Sequence, residues 1–153
     1  CGNGELLLYI LKNKIKYKRY LGSDISNLMI DNCKGKFHNI KKSKFKKLNL
    51  NKNNLNIPTT DFVVSSGIFN IKNNFSNKIW TKYFYEYIAK MYKISKKGVS
   101  FNVLTFDTTF KNPKNFYPHF NNLISFIRSK ITKKILINHT YNLWEYTVYL
   151  FKK

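Results

Sequence analysis

Gly2, Asn3 and Gly4 stand directly ahead of a helix-like stretch, and Asp24 follows Gly4 by twenty residues at the end of a strand-like one. Glycines at a helix start let backbone N–H groups approach a ligand, because no Cβ stands between. An acid at the end of the next strand suits the hydroxyls of a ribose. Both positions fall at the carboxyl ends of neighbouring strands, where α/β sheets bind ligands. The chemistry implied is nucleotide binding; the plain alternative is a structural glycine turn beside a solvated aspartate.

The residues just past the glycines narrow the ligand. A dinucleotide fingerprint needs a third Gly or Ala three residues after the second, and Leu7 stands there. A phosphate loop needs a Lys-Ser/Thr pair, where this chain has Glu5-Leu6. An acid beside the glycines suits a pyrophosphate poorly and a cationic ligand better. NAD is therefore disfavoured.

These residues need elements to hold them. Leu6, Leu7, Leu8, Ile10 and Leu11 predict a helix, Tyr17 to Ser23 a strand closing at Asp24, and Ser26 the cap of a second helix. Lys41 to Lys47 is expected to be a basic link, with a strand suggested by Phe45, Leu48 and Leu50. Residues 49–56 are Asn-rich and loop-like. Phe62-Val63-Val64 reads as a buried strand broken at Ser65-Ser66-Gly67. Trp80 to Ile94 has helical periodicity, and Gly98 is expected to end that helix in a left-handed conformation. A strand over Val99–Phe106 and a helix over Phe116–Ile131 come next. Lys134–Asn138 and Trp144–Phe151 then form an antiparallel pair around His139-Thr140-Tyr141-Asn142. Strands alternating with helices predict an α/β fold: a mostly parallel sheet flanked by helices, with an antiparallel C-terminal strand. One domain over residues 1–153 is expected.

Composition excludes more than it identifies. Hydrophobic residues make up 43% of the chain, enough for a core, so disorder is not expected. No apolar run is long enough to span a bilayer. With only Cys1 and Cys33, neither a disulfide scaffold nor a zinc site is expected, which fits a reducing cytoplasm. Net charge is +21, which ordinarily suggests a polyanionic partner. Yet only Arg19 and Arg128 are arginine, and phosphate recognition favours the bidentate guanidinium. Lys, Asn, Ile, Tyr and Phe, the residues of A/T-rich codons, dominate. A compositional origin of the charge is favoured over a selected nucleic-acid surface.

The motifs resemble one family. Cys1-Gly2-Asn3-Gly4-Glu5 looks like the tail of the glycine-rich first motif of class I, Rossmann-like S-adenosylmethionine-dependent methyltransferases. Leu21-Gly22-Ser23-Asp24-Ile25-Ser26 is similar to the second motif, and Asp61 to Asn70 to the fourth, beside the reacting methyl. The resemblance covers the whole chain and implies that it opens inside the cofactor loop, with the first, central strand missing upstream of Cys1. It implies S-adenosyl-L-methionine as cofactor, lined by Cys1, Gly2, Asn3 and Gly4. Asp24 would take the ribose diol, Ile25 would cover the adenine, and Ser66 and Gly67 would sit near the sulfonium. Asn49 or Asn51 would meet the adenine amine.

Methyl transfer needs alignment and desolvation more than a catalytic triad, and no metal. Asp107, His139 and Tyr141 are candidates to bind or deprotonate an acceptor, each set against an ordinary loop role. His119 is expected to shape a lid. The Asn/Asp-Pro-Pro-aromatic motif typical of relatives that methylate base amines is missing at Ser66-Gly67-Ile68-Phe69. A small-molecule or sugar-type acceptor is therefore expected. The alternatives are RNA, guided by the Lys-rich surface, or an inactive nucleotide-binding protein of the same fold.

Overall fold

The computed structural model describes residues 1–51 and 57–152. The chain forms two compact units, Cys1–Asn49 and Leu50–Lys153.

The first unit holds α1 (Glu5–Lys12), β1 (Tyr20–Asp24), α2 (Asn27–Lys36) and β2 (Ser43–Lys47). Strands β1 and β2 run parallel, from Tyr20 opposite Ser43 to Asp24 opposite Lys47. Leu7, Cys33 and Phe37 form the buried core, with Tyr17, Tyr20, Ile40 and Phe45 against it. Ser26 caps α2 as its residue type suggests, its Oγ accepting the Met29 N–H. Within the basic run Lys41–Lys47, Ser43–Lys47 is a strand rather than a link. Phe45 turns inward to stack on Phe37, while Lys44 and Lys46 stay exposed. Alternation makes this possible, since every second side chain of a strand faces the other way.

The second unit holds β3 (Thr60–Ser65), α3 (Asn77–Ile94), β4 (Ser95–Leu104), α4 (Phe120–Lys130), β5 (Ile135–Asn138) and β6 (Glu145–Phe151). Its sheet order is β3-β4-β6-β5. Strand β3 is parallel to β4, and β6 runs antiparallel between β4 and β5. Val99, Phe101 and Val103 alternate inward on β4, and Tyr146, Val148 and Leu150 do so on β6. Phe84, Ile88 and Met91 on α3, spaced by three and four, supply the facing stripe. The α/β class, the parallel pairs and the reversed last strand all match the alternation seen in the sequence.

Three details differ from the expectations. Gly98 does not cap α3: the helix ends at Ile94, and Gly98 lies inside β4. A Cβ there would stand 2.8 Å from the Leu150 carbonyl oxygen, so glycine allows β6 to approach. Strand β3 is not buried on both faces, because Phe62 and Val64 are exposed. Helix α4 starts at Phe120, four residues later than periodicity suggested; Phe116 is instead a buried anchor of the preceding loop. Most of the Asn-rich loop, residues 52–56, lies outside the described residues.

Candidate active site

In the first unit the glycine turn and Asp24 come together directly. The Gly4 N–H closes the turn onto the Cys1 carbonyl at 3.0 Å. Asp24 Oδ2 accepts the Gly2 N–H at 2.9 Å and the Cys1 nitrogen at 3.0 Å, and Oδ1 accepts the Ser26 N–H at 3.0 Å. Burial alone would raise the Asp24 pKa. Hydrogen bonds from the Ser26 and Gly2 N–H groups act against it, and the carboxyl lies below its usual value. The carboxylate is thus charged and aimed at the loop, with lone-pair capacity left on Oδ1.

Helix α2 fixes the other side of the turn. The Cys33 thiol donates to the Gly2 carbonyl at 3.2 Å, and Lys36 Nζ donates to the Asn3 carbonyl at 3.3 Å. Burial raises the Cys33 pKa, which keeps the thiol protonated and able to donate. Sequence reasoning read Cys33 as a small core residue and missed this bond. Its signal was a lone buried-type Cys six residues past the Ser26-Asn27 helix start.

Gly2 and Gly4 both adopt positive φ, 51° and 81°. A Cβ on Gly2 would meet nothing within 4 Å, whereas one on Gly4 would run into the Phe37 ring. The loop backbone therefore faces open space at Gly2 and closely packed side chain at Gly4. Ile25 is 66% exposed, an apolar side chain left uncovered beside the carboxylate. The Leu48 N–H bonds the Asp24 carbonyl at 2.8 Å, one residue past the last ladder pair, and Asn49 follows it. Asn51 belongs to the other unit, where its side chain donates to the Tyr83 carbonyl at 3.4 Å. An open glycine turn, an ionised acid and an exposed apolar residue have the chemistry to receive a nucleoside with a cationic tail.

In the second unit the Ser65-Ser66-Gly67 break comes at the end of β3. Gly67 has φ 75°, and its N–H donates to Asn102 Oδ1 at 2.7 Å. Asn102 on β4 lies opposite Thr147 on β6, and Thr147 lies opposite Asn138 on β5. These three half-buried polar residues form a row on the face opposite Phe101 and Val148. The Tyr141 hydroxyl joins the row through Thr147 Oγ1 at 2.7 Å. Burial raises the Tyr141 pKa, the Thr147 bond works against that, and the charge of Glu145 adds to the rise. Glu145 in turn accepts from Asn70 Nδ2 at 3.3 Å, and Asn70 Oδ1 is buried without a hydrogen-bond partner among the described residues. Sequence reasoning missed Asn70, Asn102 and Glu145. A polar Asn inside Phe101-Asn102-Val103 was the visible signal for one of them.

Asp107 and His139 fall elsewhere in this unit. The His139 ring lies 6.1 Å from that of Tyr146, a core residue on the opposite sheet face from Thr147. Asp107 lines a cavity of about 480 Å³ with Phe106, His119, Phe120, Asn121 and Asn122. His119 is the N-cap residue of α4, its ring 3.9 Å from that of Phe106. The structure thus brings Tyr141, but neither Asp107 nor His139, to the polar row that holds Gly67. Among the described residues no group of His, Cys, Asp and Glu is placed to hold a metal.

No family model and no curated protein matches the sequence. Solved structures do match it. Magnesium protoporphyrin IX methyltransferase from Synechocystis PCC 6803 with bound SAH matches all of this chain and 71% of its own, at 12% identity and TM-score 0.71. With bound SAM the same protein gives a TM-score of 0.67 over 67% of its length. TehB from Haemophilus influenzae matches all of this chain and 55% of its own, at 16% identity and TM-score 0.70. An O-methyltransferase family protein from Burkholderia thailandensis matches 97% of this chain and 47% of its own, at 11% identity and TM-score 0.68. The fold is that of class I S-adenosylmethionine-dependent methyltransferases, and S-adenosylmethionine is the cofactor of that fold.

Proposed function

We propose that this chain is an S-adenosylmethionine-dependent methyltransferase acting on a small-molecule or sugar-type acceptor in the cytoplasm. Its two units would form one domain over residues 1–153. The observation that carries this is the Asp24 carboxylate, held ionised against the Gly2 N–H at the end of β1. A decayed fold would not be expected to keep that arrangement.

When bound, the cofactor supplies an electrophilic methyl on a sulfonium. Asp24 would orient the cofactor through its ribose hydroxyls, Ile25 would shield the adenine from water, and Asn49 would reach its amine. The Gly2–Gly4 backbone would line the methionine portion, with Cys1 and Asn3 at its edges, and Ser66 and Gly67 would border the reacting side. Alignment of this kind contributes up to roughly 7–11 kcal/mol in favourable systems. Tyr141, with Glu145 beside it, is the best placed of the acceptor-binding candidates. The small-molecule reading is supported by the missing Asn/Asp-Pro-Pro-aromatic motif, and by a similar structure named for a porphyrin acceptor. No helix among the described residues is long and apolar enough to cross a membrane.

Separate calorimetric titrations of S-adenosylmethionine and NAD into the full-length protein test this reading. Micromolar binding of the first alone is expected; binding of NAD alone would overturn it.

A further inference from the structure

The β3–β4 ladder is last paired where Ser65 lies opposite Phe101. One residue further along β4, a side chain takes over from the backbone: Asn102 Oδ1 accepts the Gly67 N–H at 2.7 Å. Gly67 has φ 75° and nothing within 4 Å of the place where a Cβ would be, so no side chain packs on it from that side. The Asn102 bond holds the Gly67 N–H, and two residues on, Phe69 is buried with its carbonyl accepting from Trp80 Nε1 at 2.9 Å.

Asn102 is a costly choice for structure alone. Asn disfavours strands, and a β-branched residue would suit this position near the end of β4 better. Its side chain leaves the Phe101–Val103 core face for the face that carries Thr147 and Asn138. Because Oδ1 is taken by a donor, the amide orientation is settled.

We propose that Asn102 is a positioning residue for the cofactor. By accepting the Gly67 N–H where the β3 ladder stops, it sets the path of the Ser66-Gly67 turn along the reacting side of S-adenosylmethionine. This rests on the methyltransferase reading and assigns to it a residue that lies outside all the family-like motifs.

The test compares Asn102→Asp, which keeps an acceptor oxygen, with Asn102→Leu, which has the same size and no acceptor. S-adenosylmethionine is titrated calorimetrically into each full-length variant, after circular dichroism and thermal melts confirm folding. Asn102→Leu is expected to weaken binding about tenfold and Asn102→Asp to stay within about threefold of wild type. In 1H–15N spectra the Gly67 amide proton should move upfield in Asn102→Leu and hold its place in Asn102→Asp. Equal binding by all three proteins, or equal loss in both variants, would overturn the proposal. Failure of the wild-type protein to bind S-adenosylmethionine would instead remove the reading beneath it. The two failures are separate, because only the second concerns unaltered protein.

Discussion

Gly2 and Gly4 share a backbone conformation but not a neighbourhood, so the same substitution should cost them different amounts. Gly2→Ala places its methyl in open space and loses only the left-handed backbone term, about 1–2 kcal/mol. Gly4→Ala adds a methyl inside the Phe37 ring, and overpacking should cost about 1–3 kcal/mol more. Urea denaturation of the two variants checks the order, with Gly4→Ala the less stable. The two glycines were legible because a Gly-x-Gly turn before a helix is a local pattern. The Cys33 thiol on the Gly2 carbonyl was not legible, because thirty-one residues and a whole βα unit separate the partners. Glu145 escaped for the same reason: its partner Asn70 is far away in sequence.

At the scale of elements, periodicity located α1, α3, β3 and the β5–β6 pair, while single-residue punctuation misled. Gly98 resembled a helix stop, yet its reason lies across the sheet at Leu150, which only tertiary pairing reveals. Gly98→Ala should therefore loosen the β4–β6 contact and lower the thermal midpoint. A helix-capping role would leave that contact untouched, and amide exchange at Leu150 and Phe151 distinguishes the two. The run Lys41–Lys47 reads as a link, with a strand suggested only from Phe45 on to Leu50, because its five lysines hide one inward Phe45. In the first unit Tyr20 sits under the same aromatic pair, 6.1 Å from Phe45. Burial, with a smaller contribution from Cys33, pushes its hydroxyl up to about 12. A group raised on folding stabilises fully below its unfolded value and loses that contribution as pH rises through the folded one. Unfolding should therefore set in as pH climbs from about 10 toward 12. Tyr20→Phe, which cannot ionise, should move the alkaline transition upward in a pH-dependent fluorescence melt.

At the scale of the whole molecule, the excess of positive charge is divided between the two units. The first unit carries twelve basic residues against three acidic ones, and the second sixteen against four. Both units share the excess, as compositional drift predicts. A 12-nucleotide RNA should bind weakly at physiological salt, with an affinity that falls steeply as salt rises and ignores sequence. Asp24→Ala should leave that binding unchanged, which fluorescence anisotropy at two salt concentrations would show. The fold class was legible because α/β alternation is written along the entire chain. The acceptor was not, since methyl transfer relies on alignment and demands no fixed catalytic set. The central claim is that Asp24 and the glycine turn hold S-adenosylmethionine, and calorimetry on wild type and Asp24→Ala tests it most directly. Micromolar binding by wild type, weakened at least about tenfold by the loss of charge-assisted hydrogen bonds, is the predicted result. Equal affinity of the two folded proteins would contradict it.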